Sequence, residues 1–144
     1  MTLQIRPIRE EDADAAAALC AQLGYPTDAE TVLARMGQIA ADDNRAVLAT
    51  SLDGVLVGWI DLSIECHLQS EPGVLIGGLV VAESARGQGI GQQLCMAAED
   101  WARGHGITRI RVRSNVIRKR ARAFYLREGY TRVKTSAVFE KKLL

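Results

Sequence analysis

The clearest chemistry in this sequence lies in residues 79–94, Leu-Val-Val-Ala-Glu-Ser-Ala-Arg-Gly-Gln-Gly-Ile-Gly-Gln-Gln-Leu. Leu79, Val80 and Val81 predict the end of a buried strand, and Gly87, Gly89 and Gly91 alternate through the turn that follows, with Arg86 just before and Gln88 between. From Ile90 onward apolar residues recur at helical spacing, at Leu94, Ala97, Ala98 and Trp101. A helix N-terminus carries N–H groups with no intrahelical acceptor and about half a positive charge, so it attracts anions. Glycines let the backbone curl against a phosphate with no Cβ in the way. Arg86 adds a planar fork of donors for phosphate oxygens.

Two common phosphate-binding patterns fit these letters badly. A P-loop places Lys-Ser or Lys-Thr after its last glycine, whereas Gly91 is followed by Gln92 and Gln93. A dinucleotide fingerprint has the spacing G-x-G-x-x-G and an acidic residue ending the next strand. Here the spacing is G-x-G-x-G, and the next strand ends in Ser114 and Asn115.

The remaining elements must position that turn. Leu3–Ile8 alternates as a first strand. Acidic Glu10, Glu11 and Asp12 open a helix whose face runs through Ala13, Ala16, Ala17, Leu19, Cys20 and Leu23 and closes at Gly24. Thr27 to Glu30 reads as a capping box for a second helix reaching about Ala41. Arg45–Thr50 and Val55–Cys66 predict strands joined by an Asp53-Gly54 hairpin turn. Along the second of these, Asp61, Ser63 and Glu65 share one face. His67–Gly73 predicts a loop, with Pro72-Gly73 as its turn signal. Val74–Val81 is nearly all apolar and predicts a central strand buried on both faces. A helix from Ile90 to about Arg103 stops at Gly104-His105-Gly106. Ile107–Ser114 predicts a strand, Arg118–Glu128 a helix closed by Gly129, and Tyr130–Lys134 and Ala137–Leu143 two final paired strands. The order βααβββαβαββ predicts an α/β fold, a three-layer mixed sheet flanked by helices.

At 144 residues the chain predicts a single domain, 1–144, with a real core. An apolar share of 48% against 24% charged residues is that of an ordinary globular protein. No apolar run approaches the ~20 residues of a membrane span, and no secretory signal opens the chain. Three widely spaced cysteines, Cys20, Cys66 and Cys95, suit reduced thiols and a cytoplasmic protein. The net charge of +1 hides an asymmetry: residues 1–72 hold 4 Arg against 12 Asp/Glu, residues 73–144 hold 14 Lys/Arg against 5 Asp/Glu. A basic half suits a polyanionic ligand and an acidic half a cationic one; the plain alternative is two solvated faces.

Arg86-x-x-Gly89-x-Gly91, directly after Val80-Val81, resembles the acetyl-coenzyme A pyrophosphate loop of the GNAT superfamily, the Gcn5-related N-acetyltransferases. Asn115-x-x-Arg118-x-x-Ala121-x-x-Phe124-Tyr125-x-x-x-Gly129-Tyr130 resembles that family's second conserved block. The element order agrees too, so the resemblance spans essentially the whole chain. It implies an enzyme moving the acetyl group of acetyl-coenzyme A to a primary amine. It also implies that Gly87–Gly91, with Arg86, takes the pyrophosphate, and that Leu79, Val80 and Val81 offer backbone to the pantetheine arm. Asn115 matches a residue bonding the cofactor, against the alternative of an Asx turn. Arg118 of the basic run Arg118–Arg122 is the candidate for the 3′-phosphate. Tyr125 matches the general acid that protonates the departing thiolate, against the alternative of a helix tyrosine packing its ring.

The family resemblance leaves the base open. Many relatives carry a carboxylate on the fourth strand, where this chain has Gly77 and Gly78. Glu65 is the base candidate, with His67, Asp61 and Glu71 as neighbours and a water chain as the alternative. The glycine pair either opens space for the acceptor or marks a bulge. Tyr25, Trp59, Asp61, Glu65 and His67 are candidates for the acceptor wall, with Asp28 and Glu30 beside them. The acidic half favours a cationic small molecule such as an aminoglycoside or polyamine; a lysine side chain or protein N-terminus is the alternative. The stretches Gly58–Ile64 and Arg132–Phe139 resemble aminoglycoside 6′-N-acetyltransferases, which tend to be acidic at the Gly77 position. Two rival readings are a coenzyme A-binding module without catalysis and a nucleic-acid binder. Against the second, the basic half has no interleaved exposed aromatics and no nucleic-acid module signature. No metal is expected, and the resemblance allows a homodimer through the last strands.

Overall fold

A computed structural model of the chain describes residues 3–114 and 118–143. It separates into two units, the residues up to Val112 and those from Arg113 on.

The first unit is a sheet of β1 (Leu3–Pro7), β2 (Arg45–Leu52), β3 (Val55–His67), β4 (Ser70–Val81) and β5 (Ile110–Val112). The strands lie side by side in chain order. The first three pairings are antiparallel, and β4–β5 is parallel. The β2–β3 turn has Asp53 at φ 52° and Gly54 at φ 85°, the left-handed pair that matches the strands' own twist. Helices α1 (Ala13–Leu23) and α2 (Ala29–Ala40) cover one face, where Ala13, Ala16, Ala17, Leu19 and Val32 bury Trp59 and Val80. Helix α3 (Ile90–Gly104) meets β2, β3 and β4 and buries Ile90, Leu94, Cys95 and Ala98. Ile60, Leu62, Val74 and Ile76 are fully buried too. Each such aliphatic side chain stabilises the fold by about 1.5–3 kcal/mol.

Where α1 begins, Asp12 is buried beneath Arg6. The guanidinium holds both carboxylate oxygens, at 2.6 and 2.9 Å, and the Arg9 N–H donates to one of them at 2.8 Å. These bonds, Arg6's foremost, hold the Asp12 carboxyl below the usual carboxylate range against the opposing effect of burial. Gly24 ends α1 at φ 106°, and the Tyr25 N–H closes back on the Cys20 carbonyl at 2.9 Å.

Several boundaries differ from expectation. The cap of α2 is Asp28, one residue beyond Thr27: its backbone is extended, and its carboxylate accepts from the Thr31 N–H at 2.7 Å. The expected loop His67–Gly73 shrinks to a two-residue turn, and β4 begins at Ser70. Pro72 is tolerated because the β3–β4 register shifts there, between Glu65 opposite Gly73 and His67 opposite Ser70. Strand β5 keeps only Ile110–Val112 of the expected Ile107–Ser114. Its N-terminal side is consumed in stopping α3, where Gly106 sits at φ 72° and the Ile107 N–H bonds the Ala102 carbonyl at 2.9 Å.

The second unit contains α4 (Lys119–Arg127), closed by Gly129 at φ 92°. The two expected final strands, Tyr130–Lys134 and Ala137–Leu143, are not formed. Residues 131–143 are exposed throughout, Val138 and Phe139 included, and carry no ladder among the described residues. A two-stranded hairpin without a third strand or a helix to cover it is marginal in water.

Candidate active site

The site begins at the edge of β4. Among the described residues the parallel ladder pairs Val74 with Ile110 through Ile76 with Val112. On the other edge, β3 Leu62 faces Ile76 but Asp61 faces Gly78, so Gly77 is one extra residue, a bulge. Beyond it, Gly78–Val81 continue with β3 as their described strand partner. The Ala82 N–H bonds the Val57 carbonyl on β3 at 2.7 Å. By strand alternation, Leu79 and Val81 turn their main-chain groups away from β3, and the Val81 carbonyl accepts from the Gln22 Nε2 at 2.8 Å.

Past Val81 the chain makes a short 3-10 turn, Glu83–Ala85, and Arg86 is extended. Gly87 at φ 79° and Gly89 at φ 78° are left-handed, and Gly89 caps α3. A Cβ on either would meet nothing within 4 Å, so conformation, not crowding, requires glycine there. The first helical bond runs from the Gln93 N–H to the Gly89 carbonyl at 3.1 Å. The N–H groups of Ile90, Gly91 and Gln92 thus precede the helical ladder. Arg86, Gly87, Gln88 and Gly89 are exposed, whereas Ala85 and Ile90 are buried and anchor the turn at both ends. An exposed guanidinium, left-handed glycines and open helix N–H groups suit an anionic group such as a pyrophosphate.

The two glycines of β4 do different things. Gly77 is the bulge, and a Cβ on it would lie 3.7 Å from the Asp61 Oδ1, an ordinary contact. A Cβ on Gly78 would come within 3.0 Å of the Trp59 Cζ3. Gly78 therefore admits the indole, which is buried between β4 and Leu23. Trp59 packs into the core beneath α1 instead of presenting an open wall.

Asp61 is the carboxylate beside the bulge. Its Oδ1 accepts from the Arg45 Nη2 at 2.8 Å, with the two side chains 30% and 32% exposed. Arg45, opening β2, was not among the residues nominated from sequence; a charged residue starting an otherwise apolar strand was the available signal. Burial pushes the Cys20 thiol up. Glu65 lies four residues along β3, roughly 13 Å away. There it faces Gly73 and meets the His67 Nε2 at 3.2 Å. Tyr25 is exposed on the loop after α1. Asp28 caps α2, and Glu30 is exposed in its first turn.

In the second unit, Tyr125 sits on α4 with edge-on rings on both sides, Phe124 at 5.2 Å and Tyr130 at 5.7 Å between centroids. The Tyr130 N–H bonds the Tyr125 carbonyl at 2.9 Å, which folds the Gly129 turn back on the helix. Arg118 is the exposed N-cap of α4, its carbonyl accepting from the Arg122 N–H at 3.1 Å. Asn115 lies outside the described residues. Among the described residues no cluster of three His, Cys, Asp or Glu could hold a metal ion. No described helix is long and apolar enough to cross a membrane.

Comparison with known proteins bears on the family and the fold. Residues 9–130 match the sequence model of the acetyltransferase (GNAT) family. An aminoalkylphosphonate N-acetyltransferase of Salmonella typhimurium is 34% identical over 129 residues, 88% of this chain and 84% of that protein. A type 1 aminoglycoside N(6′)-acetyltransferase of Klebsiella aerogenes is 34% identical over 102 residues, 67% of this chain and 66% of that protein. Among solved structures, the aminoglycoside N-acetyltransferase AAC(6′)-Iy, in complex with CoA, superposes with a TM-score of 0.88. It is 22% identical, with 99% of this chain and 96% of that chain covered.

Proposed function

Because the chain belongs to the acetyltransferase (GNAT) family, we propose that it transfers the acetyl group of acetyl-coenzyme A to the primary amine of a small molecule. The observation that carries this reading is the edge of β4. Past Ile76, the last residue that pairs with β5 among the described residues, the strand runs into a turn whose two left-handed glycines open α3. That edge offers main-chain groups to an extended pantetheine arm, as an added strand would be offered them. The turn and Arg86 then offer donors to the pyrophosphate.

In this mechanism the Val81 region polarises the thioester carbonyl and Asp61 receives the incoming ammonium beside Gly77. The neutral amine nitrogen attacks the carbonyl carbon, the C–N bond forms and the C–S bond breaks. Tyr125 gives its phenolic proton to the departing thiolate; of the two protons the ammonium sheds, one leaves to solvent before attack and the other returns to Tyr125. Asn115 and Arg118 complete the cofactor's contacts. Glu65 and His67, at the far end of β3, contribute a carboxylate and an imidazole on the acceptor's approach, with Tyr25 at the loop.

One observation favours a second reading of the acceptor. Asp61 is paired with Arg45, so the open face offers a carboxylate and a guanidinium together. A polycation is served by the first alone. A zwitterion, with its ammonium on Asp61 and an anionic group on Arg45, uses both. The relative that acts on aminoalkylphosphonates has such a substrate.

A thiol-release assay with acetyl-coenzyme A tests the proposal across a polyamine, an aminoglycoside, an aminoalkylphosphonate and a lysine peptide. Turnover of a small amine is expected. Turnover of the peptide alone would replace the small-molecule acceptor with a protein one, and cofactor binding with no turnover would leave a non-catalytic module.

A further inference from the structure

Gln22 stands in the last turn of α1, and its side chain reaches the far side of the chain. Its Nε2 donates to the Val81 carbonyl at 2.8 Å, and its Oε1 accepts from the Glu83 N–H at 3.1 Å. The two bonds fix the amide's orientation, since reversing it would set oxygen against oxygen and N–H against N–H. The Val81–Ala82 peptide is consequently bonded at both ends, by Gln22 on one side and by the Val57 carbonyl on the other. The next peptide is held by the same side chain. The Ala85 N–H then bonds the Ala82 carbonyl at 2.9 Å, and the Arg86 N–H the Glu83 carbonyl at 3.3 Å. The two Gln22 bonds thus lie directly upstream of the turn that leads to Arg86.

Holding α1 to the sheet does not require Gln22. Ala13, Ala16, Ala17 and Leu19 already bury against Trp59 and Val80. What the amide adds is direction: it fixes where the chain leaves β4, just before Gly87 and Gly89, whose backbones are free to wander. We propose that Gln22 is a positioning residue for the donor, setting the aim of the Arg86–Gly91 turn. It also ties that turn to the end of α1 that carries Leu23 and Tyr25. The inference rests on the reading of the turn as the coenzyme A site.

The test uses the full chain with Gln22→Met, close in length but unable to bond, and Gln22→Glu, which keeps the acceptor for Glu83 but opposes the Val81 carbonyl. Both should raise the Kd for coenzyme A and the KM for acetyl-coenzyme A about ten-fold. The acceptor KM at saturating acetyl-coenzyme A should stay within about two-fold. A lowered melting temperature with both constants unchanged would make Gln22 a merely structural residue and overturn the proposal. Arg86→Ala separates the two failures. If it leaves coenzyme A affinity unchanged, the reading of the turn has failed. If it weakens binding while both Gln22 variants bind normally, the role of Gln22 has failed. A measurement on the unaltered protein guards against variants that do not fold. The Glu83 amide should be protected from hydrogen exchange without ligand, and exchange at the rate of an open chain would overturn the clamp.

Discussion

Asp61→Asn removes the negative charge beside the β4 bulge while preserving side-chain shape. Its cost to folding is bounded by the structure. The pair with Arg45 is short, 2.8 Å, but both side chains are about one-third open to water. Such pairs contribute about 0.2–1 kcal/mol, so the variant should fold with a melting temperature within a few degrees of the parent. Its effect on the reaction should be larger. A hydrogen bond to a charged group stabilises by about 1.5–3 kcal/mol, which corresponds to roughly 10- to 150-fold in kcat/KM for the amine. The assay is thiol release at saturating acetyl-coenzyme A, with melting measured on the same samples. The Gly77→Asp change in the Asp61→Asn background sharpens it. A Cβ at Gly77 would lie 3.7 Å from the Asp61 Oδ1, so a carboxylate built there should recover part of the loss. A kcat/KM for Asp61→Asn within two-fold of the parent, across every acceptor that turns over, would refute the assignment of Asp61 to the amine.

Three further outcomes are expected. Tyr125→Phe should lower kcat about 100-fold while coenzyme A affinity, read by calorimetry, stays within about two-fold; unchanged kcat would remove Tyr125 as the acid. Gly89→Ala forces a Cβ into a left-handed backbone at φ 78°, which costs about 1–2 kcal/mol, and should weaken coenzyme A binding. Gly89→Asn should be milder in both, and the reverse order would mean the glycine is not there for its conformation. Asp12→Asn strands the buried Arg6 guanidinium and should lower unfolding free energy by about 3 kcal/mol in urea titrations. The pH dependence has a definite sign. Asp12's carboxyl lies below its unfolded value, so its stabilisation is present above about pH 4 and is lost as pH falls through the folded value. The parent should lose stability there more steeply than the variant.

The glycine turn was legible because its physics is local. A left-handed glycine turn opening a helix is written in consecutive letters, and Gly87, Gly89 and Ile90 stand where the spacing predicts. The same locality made α1, α3, α4 and the Asp53-Gly54 hairpin readable. The misreadings have non-local causes. Pro72-Gly73 signals a turn, but the register shift opposite Glu65 lets β4 run through it. The final strands alternate convincingly in sequence, yet a strand needs a ladder, and residues 131–143 form none among the described residues. Trp59 alternates on the face shared with Asp61, and only the packing of α1 over Gly78 makes one a core residue and the other an open one. Gln22 and Arg45 escaped notice for the same reason: their partners lie 59 and 16 residues away.

Both halves of the proposed reaction trace to a single extra residue. Gly77 is the β4 residue that β3 does not match, and a bulge strengthens the local twist of the strand just before Leu79 and Val81. It also leaves the strand bare of side chain where Asp61 approaches. A carboxylate from β3 can therefore reach the edge of β4 there. Gly78 is then a consequence of the core: Trp59 needs the space, and no larger residue fits without moving the indole by a few tenths of an ångström. Of the two glycines, Gly77 is thus the position at which acceptor preference can be altered while the fold is kept.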